Sequence, residues 1–125
     1  MKLLIFGNRK FNDYPLLKTI VDKFIFVQME VIDSVISGKA KGADALGELW
    51  AKEQKLPVLS YPADWDTYGK SAGFFRNKQM SEVADVAIGF LAPESKGTRH
   101  MINLCKEKKI PLMVYKIDTG EIEVF

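Results

Sequence analysis

Short apolar runs alternate with helical patterns along the chain. Leu3 to Phe6 is a continuous apolar run that ends at Gly7-Asn8-Arg9, and such a run is typical of a strand covered on both faces. The same reasoning predicts four more strands and a short edge strand after the Thr119-Gly120 turn. They lie near Val31 to Ile36, Val58 to Tyr61, Asp85 to Leu91, Ile110 to Tyr115 and Glu121 to Phe125.

Helical spacing fills the intervals between these runs. The first helix is predicted to begin near Tyr14, with Asp13 as its N-cap and Pro15 in its first turn. Phe26 falls opposite the apolar stripe of this helix, and we expect it to be exposed. That stripe contains Leu16, Leu17, Ile20, Val21, Phe24, Val27 and Gln28. Later helices are predicted over 43–54, from 71 or 72 to 83, and around Met101 to Lys108.

Strands that alternate with helices predict an α/β fold in one domain, residues 1–125. We expect a three-layer Rossmann-like arrangement: a mostly parallel sheet of about five strands, helices on both faces, and a short C-terminal edge strand. Ligands of such sheets bind at the carboxyl ends of the strands, where strand order reverses. Three glycine-containing turns belong to that edge: 7–9, 37–44 and 94–98.

Composition narrows the function classes. The chain has 125 residues, 47% of them hydrophobic, and a net charge of +2, which by itself favours neither nucleic acid nor membrane. One cysteine, Cys105, provides no disulfide framework or metal cluster. No apolar run approaches the roughly 20 residues that a membrane span needs. We therefore expect a cytoplasmic protein without a metal or required cofactor.

The turn from Ile36 to Asp44 is the first candidate site. Gly38 and Gly42 follow an apolar run and precede a helical pattern, an arrangement that aims backbone N–H groups at an anion. Ser37 and Lys39 belong to the same turn, and the lysine would neutralise a phosphate. The alternative is a tight strand–helix turn with solvated lysines. Asp44 either bonds a ribose hydroxyl or interacts with the positive end of the helix.

The first and third turns offer further ligand contacts. Asn8 and Arg9 follow the first strand, and the planar fork of an arginine suits a phosphate. In the third turn Ser95, Lys96 and Gly97 lead to Thr98, which is positioned either as a helix N-cap or as a phosphate ligand.

An aromatic loop and the helix after it complete the candidates. Trp65 or Tyr68 could stack on a purine, while Asp64 or Asp66 could bond sugar hydroxyls; alternatively the aromatics only pin their own loop. Arg76 and Asn77 near the next helix start are further ligand candidates, because an apolar neighbourhood is a costly place for an unpaired arginine. His100 is predicted to be a surface histidine, and Cys105 a core residue.

Five ordered motifs resemble the YspA-like (YAcAr) family of the SLOG superfamily, relatives of the DprA and LOG proteins. The resemblance implies a Rossmann-like domain that binds a nucleotide-derived ligand of the NAD or ADP-ribose type. It extends over residues 1 to about 115. Its motifs are Gly7 to Phe11, Ile36 to Asp44, Pro62 to Trp65, Ala72-Gly73 with Arg76-Asn77 and Met80, and Ser95 to Thr98.

The departures from the LOG pattern argue against LOG-type nucleotide hydrolysis. Met101 stands where that family has its catalytic glutamate, and a thioether cannot stabilise a developing positive charge on a ribosyl group. The enzyme alternative is a nucleotide hydrolase that uses Asp64 or Asp66, assisted by Arg76. A weaker alternative is DprA-like binding of single-stranded nucleic acid, against which the small net charge argues. The LOG relatives, together with Phe26, favour a homodimer.

Overall fold

A computed structural model of the protein describes residues 1–28 and 31–125. Six strands form one sheet: β1 Lys2–Gly7, β2 Ser34–Ser37, β3 Val58–Ser60, β4 Val86–Leu91, β5 Leu112–Lys116 and β6 Ile122–Val124. The helices are α1 Tyr14–Gln28, α2 Ala43–Glu53, α3 Trp65–Tyr68, α4 Ala72–Val83 and α5 Lys96–Glu107, with a 3₁₀ turn at Gly69–Ser71.

The sheet has the strand order β3-β2-β1-β4-β5-β6. The first five strands are parallel, and β6 pairs with β5 in the antiparallel direction. The chain builds β1, β2 and β3 toward one edge and then returns to place β4 on the other side of β1, where Gly7 lies beside Phe90. The carboxyl ends of these two strands therefore border the point at which strand order reverses, which is the usual ligand position in such sheets.

Alternate residues of the central strands face two helical layers. Leu3 and Ile5 of β1 pack in the cluster that contains α1 and α2, including Phe24 and Trp50. Leu4 and Phe6 face the opposite cluster, which α4 and α5 complete with residues such as Met101, Ile102 and Cys105. The predicted mostly parallel, three-layer Rossmann-like fold is thus confirmed, and so is the core position of Cys105.

The first helix begins as its sequence predicts. Asp13 caps it, accepting a hydrogen bond from the Leu16 amide at 3.1 Å. Phe26 is 82% exposed, as expected, whereas Val27 of the predicted inward stripe is 62% exposed. The inward stripe therefore ends at Phe24, one turn before the helix does. Self-association through Phe26 stays a prediction.

Two predicted boundaries need correction. The second strand begins at Ser34 and not at Val31, because Val31 and Asp33 instead bind the chain's amino terminus through the Val31 carbonyl and the Asp33 carboxylate. The predicted loop over 62–69 contains the one-turn helix α3, for which Asp64 accepts a hydrogen bond from the Thr67 amide at 3.1 Å. One helical turn is too short for an apolar stripe to announce it.

Candidate functional site

A cleft of about 300 Å³ lies at the carboxyl ends of β1 and β4. All three predicted turns reach it, so the sequence motifs that are far apart in the chain meet in space. The cleft is lined by Phe6, Gly7, Asn8, Arg9, Lys10, Ala40, Asp44, Arg76, Asn77, Met80, Glu94, Ser95, Lys96, Gly97, Thr98 and Met101.

Asn8 joins the three turns at the floor of the cleft. Its backbone carbonyl accepts the Ala43 amide of the α2 turn at 3.2 Å. Its side-chain amide donates to the Ser95 hydroxyl at 2.8 Å and to a Glu94 carboxylate oxygen at 3.4 Å. Its side-chain oxygen accepts the Lys10 amide at 2.8 Å. Asn8 was predicted to contact a ligand, but its backbone carbonyl and its side-chain amide hold the three turns together.

Gly42 serves the packing of two turns against each other. Its φ angle is +76°, and a methyl group there would lie 2.3 Å from the Asn8 carbonyl oxygen. Only glycine permits both this backbone conformation and this approach. Gly42 does not line the cleft.

The amides of the α2 turn are largely occupied by the protein itself. The Lys39 amide donates to the Ser37 hydroxyl at 3.1 Å, and the Ala40 amide donates to the Asp44 carboxylate at 3.3 Å. Lys39 also pairs with Glu48 at 2.8 Å, and Ser37 donates to the same carboxylate at 2.7 Å. Four residues of this turn lie outside the cleft lining: Ser37, Gly38, Lys39 and Gly42. Their assignment to a ligand stays a prediction.

Asp44 is a buried carboxylate in the lining of the cleft, only 5% exposed. Burial raises its pKa to about 6, although the backbone N–H groups of Ala40 and Gly7 and the Arg76 guanidinium partly offset that effect. These neighbours belong to the α2 turn, to β1 and to α4. Asp44 therefore stabilises the junction of three elements from inside.

Arg76 crosses from α4 to the α2 turn. Its Nη1 donates to the Gly38 carbonyl, and its Nε donates to the Asn77 side chain at 3.0 Å. A methyl group at Gly38 would lie 2.7 Å from this Nη1, so glycine is needed here for the arginine to approach. Within residues 1–28 and 31–125, no protein acceptor bonds to Nη2, which leaves donor capacity at the cleft.

The first turn of α5 forms the other side of the cleft. The helix begins at Lys96 after Ser95, so Thr98 lies inside the first turn and the prediction that it is the N-cap is wrong. In the described parts of the chain the amides of Gly97 and Thr98 have no protein acceptor, as is usual for the start of a helix. A methyl group at Gly97 would meet no atom within 4 Å. This turn thus offers donors and space together.

Cationic side chains outnumber carboxylates around the cleft. Among the described residues that line it, the cations are Arg9, Lys10, Arg76 and Lys96, and the carboxylates are Asp44 and Glu94. Six lining residues were not predicted as ligand contacts: Phe6, Lys10, Ala40, Met80, Glu94 and Met101. Each adjoins a predicted motif: Lys10 and Glu94 are direct neighbours of Arg9 and Ser95, and Met80 lies one helical turn beyond Arg76 and Asn77.

The aromatic loop lies outside the cleft lining. Asp64 caps α3, and Asp66 and Trp65 lie on that helix. Trp65 is 51% exposed, and Tyr68 stacks on Phe75 with a centroid distance of 4.5 Å.

His100 lies on α5 and is partly exposed. It packs edge-on against Phe74, with a centroid distance of 4.5 Å, and its Nδ1 lies 3.2 Å from the Asn77 amide nitrogen. Burial lowers the pKa of this histidine.

The described residues contain neither a cluster of metal-ligand side chains nor a membrane-spanning helix. No group of three histidine, cysteine, aspartate or glutamate side chains within 1–28 and 31–125 is placed to hold a metal ion. No helix in that part of the chain has the length and apolar character needed to cross a membrane.

Comparisons with known proteins show similarity in sequence and in fold. The family described as "YspA, cpYpsA-related SLOG family" matches residues 1–68. The Gene 61 protein of Mycobacterium phage D29 is 35% identical over 85 residues, which are 63% of this chain and 68% of that protein. A solved structure of DNA processing protein A from Helicobacter pylori, described for its single-stranded DNA binding mode, has a TM-score of 0.66 at 19% identity. The match covers 97% of this chain and 67% of the Helicobacter pylori chain.

Proposed function

The chain belongs to the YspA, cpYpsA-related SLOG family, and from that premise we propose that it binds or senses a nucleotide-derived ligand at the cleft between β1 and β4. The ligand class is a nucleotide, NAD or ADP-ribose. Its phosphate lies against the first turn of α5, with Arg9, Arg76 and Lys96 as counter-charges. No cofactor besides this ligand is required.

The observation that carries the proposal is the open first turn of α5. The Gly97 and Thr98 amides are without protein acceptors in the described chain, and the space beside Gly97 is empty. A helix N-terminus favours negative charge because its N–H groups and its dipole point the same way. Four cationic side chains line the same cleft. A phosphate is the anion that uses all of these groups at once.

The proposal is of a binding module and not of a hydrolase. The sequence-based enzyme hypothesis relied on Asp64 and Asp66, and neither lines the cleft. The carboxylates that do line it are Asp44, which is occupied by the protein's own N–H groups, and Glu94. Met101 lies in the cleft wall, where its thioether provides no acid–base group.

Calorimetry with AMP, NAD and ADP-ribose tests this function. Gly97→Val places a branched side chain over the open amides, and we expect it to weaken binding at least 10-fold while the protein stays folded. Ala45→Val is the matched control, because Ala45 is an exposed residue of the first turn of α2 and does not line the cleft. Absence of binding across the panel, or equal affinities for the two variants, would refute the proposal.

Single-stranded nucleic acid is a second candidate, favoured by one specific observation. Exposed aromatics of α3 and α4 lie near the basic residues Lys70, Arg76 and Lys78 in the sequence, and proteins that bind single strands combine aromatic and basic side chains. The solved structure of similar fold comes from a protein described as binding single-stranded DNA. A fluorescently labelled dT oligonucleotide should then bind with an affinity that falls steeply with salt. Salt-independent or absent binding would reject this candidate.

A further inference from the structure

We infer that a notch in α4 at Gly73, between Trp65 and Arg76, stacks the base of the ligand whose phosphate occupies the cleft. This inference rests on the proposed phosphate site and extends it to a second contact. It makes the preferred ligand one that carries an aromatic base, in contrast to a bare sugar phosphate.

Gly73 is a glycine that the fold does not require. It lies in the first turn of α4, where glycine makes a helix less stable than alanine does. A methyl group there would lie 3.7 Å from Arg76 Nη2 and 3.8 Å from the Trp65 ring, which are ordinary contact distances. Its backbone has no positive φ angle. Neither packing nor conformation therefore requires this glycine, in contrast to Gly38 and Gly42, and the space it leaves remains available to a ligand.

The walls of the notch suit a planar ring. Trp65 is 51% exposed, and its large aromatic ring provides a surface for stacking. The guanidinium of Arg76 also stacks on aromatic rings. The Tyr68 and Phe75 rings, 47% and 49% exposed, continue the aromatic surface on α3 and α4. An exposed cluster of aromatic side chains is typical of a binding surface.

Arg76 connects the notch to the cleft. It lines the cleft, its Nη1 is bound to Gly38, and its Nη2 faces the Gly73 position. One guanidinium can therefore contact a phosphate or sugar with one edge and a base with its face. A nucleotide carries both a phosphate and a planar base, and the base needs no particular identity because every base has a flat π face.

The test compares the four ribonucleoside 5′-monophosphates with ribose 5-phosphate by calorimetry. The notch predicts that the nucleotides bind about 10-fold more tightly than the sugar phosphate. Trp65→Ala should remove that advantage and leave ribose 5-phosphate affinity unchanged. Phe26→Ala, which removes an exposed aromatic from α1 on the opposite face, is the matched control and should change neither affinity.

Gly73→Ala tests the notch independently if Trp65→Ala misfolds. We expect its Tm to rise slightly and its nucleotide affinity to fall several-fold, because the methyl group fills the notch. If ribose 5-phosphate binds as tightly as the nucleotides, or if both variants weaken both ligands equally, the notch is refuted while the phosphate site stands. If no phosphate compound binds, the phosphate site is refuted and the notch with it.

Discussion

The α2 turn (residues 38–43) and the α5 turn (residues 95–98) follow parallel strands, contain glycine and border the same cleft, yet their backbone amides differ in hydrogen bonding. In the α2 turn, side chains and carbonyls of the protein occupy the amides of Lys39, Ala40 and Ala43. In the α5 turn, the amides of Gly97 and Thr98 are left to the cleft among the described residues. A glycine next to a helix start is thus either a packing residue or a ligand residue, and its neighbours decide which.

The contrast between the two turns is sharpest for stability. Gly42→Ala should lower the free energy of unfolding by about 1–3 kcal/mol through its positive φ alone, and the approach to the Asn8 carbonyl adds to that cost. Gly97→Ala meets open space and should change stability by no more than about 1 kcal/mol, in the stabilising direction. Urea denaturation of both variants measures the difference. Equal losses would show that both glycines are packing residues.

Asp44, at the start of α2, gives the stability of the protein a pH dependence. The folded protein holds the Asp44 proton up to about pH 6, whereas the unfolded chain releases it near the ordinary value of 3.8. The folded state binds more protons in this window, so stability should fall as pH rises from about 4 to about 6, by about 1–3 kcal/mol.

Asp44→Asn isolates this effect. Asparagine keeps an acceptor for the Ala40 amide but does not titrate, so the fall should be present in wild type and absent from the variant. His100, whose lowered pKa produces the opposite trend, is present in both proteins and cancels from their difference. A pH-independent difference between the two unfolding curves would contradict the buried carboxylate.

The two lysines of the turns provide the smallest contrast. Lys39 pairs with Glu48 at the surface, so Lys39→Ala should cost less than about 1 kcal/mol of stability and leave ligand affinity unchanged. Lys96→Ala should leave stability unchanged and weaken AMP binding several-fold, because Lys96 lines the cleft. Calorimetry and thermal unfolding of both variants check this. The reverse assignment of effects would favour the α2 turn as the anion site.

The sequence predicts the sheet and the main helices because each has a strong local signal. The apolar run before Gly7, the Asp13 cap and the apolar spacing in α5 are each local signals. It also predicts that three turns meet, since parallel strands bring their carboxyl ends to one edge. Periodicity does not reveal the short helix α3, because one turn is too short for an apolar stripe. It does not reveal the start of α5 either, because Ser95 there is bound by Asn8 from a distant turn.

Side-chain partners are the part that sequence cannot supply. The sequence assigns Lys39 to a phosphate but does not show that it pairs with Glu48, nine residues later. It assigns Gly38 to a ligand but does not show that Arg76 donates to its carbonyl. The prediction of Thr98 as the N-cap is wrong because α5 begins at Lys96, and the hydroxyl of Ser95 before it accepts a hydrogen bond from Asn8. These partners come from other parts of the chain.

The most direct test is an amide NMR titration of the protein with AMP. The largest shifts should occur at the backbone N–H groups of Gly97 and Thr98, with those of Ala40 and Ala43 nearly unmoved because the protein already occupies them. Shifts concentrated at 39–43, with Gly97 and Thr98 unchanged, would contradict the assignment of the anion to the α5 turn.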